Sequence, residues 1–93
     1  MKYKLHWAAS NGRTETVELL ISKGVDIDAK DVYDWTPLHW AARYGYTKTA
    51  ELLISKGADV NAKNDEGKTP LDRAVWNGDD ETIRLLKKNG AIE

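Results

Sequence analysis

The seven letters ELLISKG stand at residues 18–24 and recur unchanged at 51–57. The offset is 33 residues, and it runs through the whole chain. Leu5, Leu38 and Leu71 form one column, Ala8, Ala41 and Ala74 a second, Gly12, Gly45 and Gly78 a third, and Gly24, Gly57 and Gly90 a fourth. A fixed period of this length is the mark of a stacked repeat protein, in which each unit is one supersecondary element and buries its apolar face only against its neighbours. The boundaries fall at about 1–33, 34–66 and 67–93, one domain in all.

Each unit carries the same punctuation. In the middle copy Thr36 is suited to cap a helix and Pro37 to open it, where a missing N–H costs nothing. "LHWAARY" then runs to Gly45, a residue that closes helices because it accepts positive φ. Thr47 is the expected cap of a second helix, with Thr14 and Asp80 in the same position of the other copies. The polar stretches "VDIDAKD" and "ADVNAKN" must turn the chain back to the next unit. The unit reads helix, tight turn, helix, extended loop, and the fold class is all-α.

"TPLHWAA" (36–42) and "GADVNAKN" (57–64), at 33-residue spacing, resemble the ankyrin repeat over essentially the whole chain. The resemblance implies a solenoid of three helix-turn-helix units with extended loops and β-turns between them, and a local hydrogen-bond network around Thr36 and His39. The end copies depart from the pattern. Tyr3-Lys4 replaces Thr-Pro in the first, and "TPLDRA" puts Asp72 and Arg73 where the middle copy has His39 and Trp40. Lys87 and Lys88 replace the Ile-Ser of the earlier copies. A terminal repeat needs a polar outer face, so the chain reads as self-capped at both ends. Its regularity also resembles engineered consensus ankyrin scaffolds.

Chemistry is poorly represented. The net charge is -1, from 14 basic and 15 acidic residues, which favours neither a nucleic-acid backbone nor an anionic membrane. With no cysteine, disulfides, thiolate zinc sites and a cysteine nucleophile are excluded. Apolar runs are a few residues long and "MKYKLHW" is not a secretory leader, so a cytoplasmic-type soluble protein is expected. His6 and His39 occupy one repeat position, where each supports its own turn; a catalytic or metal role would need them to converge. Asp26, Asp28 and Asp31 lack the calcium-loop pattern and are read as solvating the loop. No catalytic residue, metal ligand or cofactor is assigned, and no enzyme activity is expected.

The informative residues are those that break the repeat. Of four tryptophans and four tyrosines, five fall in one stretch: Tyr33, Trp35, Trp40, Tyr44 and Tyr46. Such residues suit positions with one apolar and one wet end, and they dominate binding hot spots. The resemblance places the recognition surface on the loop tips and the outer face of each first helix, positions varied in engineered ankyrin libraries. Here those are Val32, Tyr33 and Trp35, then Asp65, Glu66 and Lys68, and on the helices Ser10, Asn11, Arg43, Tyr44, Trp76 and Asn77. Asp34 stands where the family has glycine, as at Gly67, at a local cost of about 1 kcal/mol. One explanation is that its carboxylate fixes Tyr33 and Trp35 or meets a donor on a partner; the other is drift with a slightly altered turn.

Trp7 and Trp40, where the family commonly has leucine, are read first as packing between repeats. Trp40 shares a helix side with Arg43 and Tyr44, and Tyr46 fits either role. The expected partner-contacting residues are therefore Val32, Tyr33, Asp34, Trp35, Trp40, Arg43, Tyr44, Tyr46, Lys68, Trp76 and Asn77, with both Tyr33 and Trp35 exposed. The expected function is a protein-binding module, read as an engineered binder, with no nucleic acid or membrane as partner, and monomeric or weakly dimeric through its aromatic patch. The alternatives are a partnerless consensus scaffold that self-associates, and a site for a small aromatic ligand or a single-stranded nucleic acid.

Overall fold

The computed structural model describes residues 3–92. Six helices follow in pairs: α1 (Lys4–Ser10) and α2 (Thr14–Ser22), α3 (Pro37–Arg43) and α4 (Thr47–Ser55), α5 (Pro70–Asn77) and α6 (Asp80–Lys88). Among the described residues there is no strand. The first helices stack in one row, α1 on α3 on α5, and the second helices in another, α2 on α4 on α6. Leu5, Leu38 and Leu71 and the alanines Ala8, Ala41 and Ala74 supply the seam of the first row and are almost fully buried. A methyl group at the contact lets the helices approach closely and leaves little void. Val17, Ala50, Leu53 and Leu86 continue the same core from the second row.

The first helices open as the sequence implies. The Thr36 hydroxyl accepts from the His39 N–H at 3.4 Å, and His39 Nδ1 accepts the Thr36 backbone N–H at 3.1 Å. Thr69 and Asp72 form the same reciprocal box, at 3.2 and 2.9 Å. With Nδ1 an acceptor, His39 carries its proton on Nε2, which donates to the Lys68 carbonyl in the following loop at 2.8 Å. His6 reaches the corresponding carbonyl, that of Trp35, at 3.0 Å, and also that of Ala29 at 2.7 Å. Each histidine thus ties its own repeat to the next, and of the two His39 also closes a local helix-opening box. Asp72 keeps only the local half of that role.

The second helices open differently from expectation. Thr14 and Thr47 are first helical residues rather than caps, and the capping positions belong to Arg13 and Tyr46, neither with a side-chain cap bond. In the third repeat Asp79, not Asp80, is the cap. The threonine hydroxyls work between repeats instead. Thr14 Oγ1 meets Thr49 Oγ1 at 2.8 Å, and Thr47 Oγ1 meets Thr82 Oγ1 at 2.8 Å. Thr82 donates onward to the Asp79 carboxylate at 2.8 Å, so Thr47 is the donor to Thr82.

The second helices close in a left-handed glycine. At Gly57 (φ 97) the N–H of Ala58 bonds the Leu53 carbonyl and the N–H of Gly57 bonds that of Ile54, both at 3.0 Å. That pairing satisfies two otherwise orphaned carbonyls and turns the chain into the loop. The loop acids are structural rather than merely solvating. Asp28 accepts the backbone N–H of Asp59 in the next loop at 2.9 Å, and Asn61 repeats the contact with Ile92 at 2.9 Å.

Candidate functional site

The loop 31–36 is built around one carboxylate. Asp31 Oδ1 accepts the backbone N–H groups of Tyr33 and Trp35 at 2.9 and 3.0 Å. Its backbone closes the same turn, donating to the Trp35 carbonyl at 3.0 Å and accepting from the Asp34 N–H at 2.9 Å. Asp31 Oδ2 accepts the indole N–H of Trp40 at 2.9 Å. The residue that fixes Tyr33 and Trp35 is therefore Asp31 and not Asp34. Asp34 is exposed, with φ 62, and is the one non-glycine residue with positive φ among those described.

This turn sends the two aromatics in opposite directions. Tyr33 stands at the tip, 61% exposed, whereas Trp35 is 7% exposed, which overturns the expectation of two exposed rings. The reason is position. Trp35 directly precedes the Thr36-Pro37 helix start, so its side chain enters the interface between repeats. There it packs on Trp40 at a centroid distance of 4.5 Å and on His39 at 5.7 Å.

From Trp35 a line of rings runs outward: Trp40, then Tyr44 at 6.3 Å and nearly parallel, then Tyr46 at 6.3 Å. The Arg43 guanidinium faces Trp35, Trp40 and Tyr44 at 5.6, 5.8 and 5.4 Å. Arg73, from the next repeat, faces Trp35 at 5.7 Å and Trp76 at 5.6 Å. The buried indole of Trp35 is thus faced by two arginines, one from its own repeat and one from the next. Tyr46 lies over Gly12, where an added Cβ would stand 2.8 Å from its ring, and it is 38% exposed. Its inner face is packing and its outer edge is free.

Of the expected contact residues, Trp35, Trp40, Arg43, Tyr44, Tyr46 and Trp76 are joined into this cluster, the last through Arg73. Val32 and Trp40 line a groove of about 380 Å³ on the side of the first repeat, opposite Tyr3 and Trp7. Trp7 is nearly half exposed and carries Arg13 over its ring at 5.3 Å, so it is less of a packing residue than its repeat position suggests. Lys68 and Asn77 are exposed, and Lys68 meets the cluster through its backbone carbonyl, which accepts from His39. Sequence reasoning missed Asp31 and Arg73. Their signal was the repeat column: Asp31 aligns with Asn64, and Arg73 with Trp40.

Burial lowers the His39 pKa below its ordinary value, and the Lys68 carbonyl opposes that shift only in part. The ring is therefore neutral and structural at pH 7. Among the described residues no three His, Cys, Asp or Glu side chains group so as to hold a metal ion, and no helix is long and apolar enough to cross a membrane.

Comparison with known proteins agrees with this geometry. Over 33 residues the chain is 52% identical to the 26S proteasome non-ATPase regulatory subunit 10 of Rattus norvegicus, covering 36% of this chain and 14% of that protein. The human protein of that name matches at the same identity, with 15% of its length covered. Protein phosphatase 1 regulatory subunit 12A of Mus musculus is 53% identical over 34 residues, covering 37% of this chain and 3% of the relative. The match therefore spans only a small part of each relative. The family model for ankyrin repeats, in three copies, matches residues 5–92. With paired helices stacked at a 33-residue period and that match over nearly its full length, the chain belongs to the ankyrin-repeat family.

Proposed function

We propose that the chain is a non-catalytic protein-binding module whose contact surface is the aromatic face formed by the second loop and the first helices of the second and third repeats. One observation carries this reading. Tyr33, Tyr44 and Trp76 are 61%, 48% and 73% exposed, yet Tyr44 and Trp76 lean on a rigid base of Trp35, Trp40, Arg43 and Arg73. Large rings held out in water by a fixed support lose little freedom on being covered, which is what a hot-spot anchor requires. The family and the regulatory-subunit names of its relatives support the same class of role. Aromatics at positions varied in engineered ankyrin libraries, with the exact duplication of ELLISKG, support the finer reading as an engineered binder.

The test is to pan a phage-displayed random-peptide library against the wild-type chain and measure selected peptides on Tyr33→Ala and Trp76→Ala. Both variants should keep their helical circular dichroism and stay within about 0.5 kcal/mol of wild-type stability, since surface truncations rarely cost more. Binding should weaken by about 2 kcal/mol for each anchor. Loss of folding in either variant, or unchanged affinity in both, would count against the assignment. A second reading, a partnerless scaffold, is favoured by the continuous exposed apolar pair Val75 and Trp76. It requires concentration-dependent dimers in sedimentation velocity and no selected peptide.

A further inference from the structure

The third repeat differs from the second at two linked positions. Asp31, which accepts the Trp40 indole N–H, aligns with Asn64, and Trp40 aligns with Arg73. One exchange removes a negative charge and the other adds a positive one. Asn64 Oδ1 accepts the backbone N–H groups of Glu66 and Lys68 at 2.9 and 3.0 Å, which fixes the amide orientation. Its Nδ2 is then left, like Arg73 Nε, buried and without an acceptor in the chain. Asn64 is 6% exposed. Arg43 and Arg73 face the same indole, that of Trp35, at 5.6 and 5.7 Å. Among the described residues neither arginine pairs with a carboxylate. Both remain partly exposed.

We propose that Arg43 and Arg73 form a carboxylate-recognising pair, which seats an aspartate or glutamate side chain of a protein partner above Trp35. This rests on the binding role proposed above and names the chemistry of the partner. A guanidinium stacked on an aromatic face is pre-oriented, and its planar edge matches a carboxylate in a bidentate fork. Charge complementarity favours an acidic group because two guanidinium groups face one indole, at 5.6 and 5.7 Å, and neither pairs with a carboxylate among the described residues. Trp40 links this spot to the apolar groove, since it lies under Arg43 and also lines the groove with Tyr3, Trp7 and Val32. The fitting partner is a segment with an acidic residue and a large apolar residue a few positions apart, an extended chain advancing about 3.3–3.6 Å per residue.

The peptides selected by panning decide the matter. Sequences enriched in Asp or Glu within about four residues of Leu, Phe, Tyr or Trp are expected, with affinity that falls as salt rises. Arg43→Gln with Arg73→Gln should weaken a selected acidic peptide at least tenfold. Asn64→Asp, which places a carboxylate where the aligned Asp31 holds Trp40, the repeat position of Arg73, and leaves both arginines in place, should weaken it several-fold while keeping the fold. Selected peptides without an acidic preference, or acidic peptides bound equally by all these variants, would overturn the carboxylate assignment and leave the binding role intact. A phosphoserine peptide that binds while its glutamate counterpart does not also overturns it. If no peptide is enriched at all, the binding role fails and this inference with it.

Discussion

Asn64→Asp isolates a single physical question, whether two buried donors lie close to one missing acceptor. In the free protein Asn64 Nδ2 and Arg73 Nε are both buried and unpaired. Each such group carries a desolvation penalty of about 1–3 kcal/mol. The substitution removes the first donor and places a carboxylate oxygen where the aligned Asp31 holds Trp40, the repeat position Arg73 occupies, while Oδ1 keeps the N–H groups of Glu66 and Lys68. A charge-assisted hydrogen bond contributes about 1.5–3 kcal/mol net, against which stands the desolvation of the new carboxylate. That cost is limited by the two backbone donors already in place, which favour the ionised form. Asp31 sets the precedent, since the aligned carboxylate in the middle repeat takes two backbone N–H groups and a side-chain donor together.

The expected balance is a stabilisation of about 1–2 kcal/mol, and each kcal/mol raises the Tm of a chain this size by roughly 4–8 °C. Urea unfolding followed by circular dichroism should show a higher midpoint at unchanged slope. The new carboxylate gains partners on folding, so its folded pKa lies below its unfolded value. Its contribution is then present above about pH 3.9 and disappears as the pH falls through the lower folded value. A double-mutant cycle with Arg73→Leu assigns the effect, because the gain must vanish when the guanidinium is absent. The reasoning is refuted if the single variant is neutral or destabilised at pH 7, or if the gain survives Arg73→Leu.

Three further outcomes follow from the same geometry. Trp35→Ala should cost about 3–5 kcal/mol in chemical denaturation, because the indole is 7% exposed and supports both arginines; a loss below about 1 kcal/mol would show the ring is not core. Asp34→Gly should stabilise by about 0.5–1 kcal/mol in the same assay, since φ 62 suits glycine and no acceptor role for the carboxylate is lost; a destabilised variant would reveal a contact made by that carboxylate. His39 is buried and its pKa lowered, so the unfolded chain binds protons more readily than the folded one. Its stabilising share is complete above the unfolded value of about 6.5 and declines as the pH falls below it. Tm should therefore drop as the pH falls below about 6.5, and His39→Gln should lower Tm overall but flatten that slope; an equal slope in the variant would place the titration elsewhere.

Where sequence sufficed and where it failed follow one physical division. The repeat period, the helix pairs, the Thr36 box and the buried alanine and leucine columns were legible because each depends on backbone geometry or on a period that every copy repeats. The side on which a ring falls depends instead on a turn only a few residues long. Nothing in "VYDW" distinguishes Tyr33 from Trp35 by composition; the distinction comes from place, since Asp31 Oδ1 holds the N–H groups of both in one turn and Trp35 alone directly precedes the Thr36-Pro37 helix start. The aligned Asn64 accepts the equivalent N–H groups of Glu66 and Lys68, so the turn itself is a property of the repeat. What differs between copies is the remaining atom of each side chain. In Asp31 it is an acceptor, spent within the chain on Trp40; in Asn64 it is a donor without an acceptor in the chain, and the residue aligned with Trp40 is the cation Arg73. Two copies of one loop therefore present opposite chemistry on either side of Trp35, one closed upon itself and one still lacking an anion. If this face binds by charge as well as by aromatic cover, the preference for an acid arises from that Asp-to-Asn, Trp-to-Arg exchange and not from the overall charge of the chain, which is nearly zero.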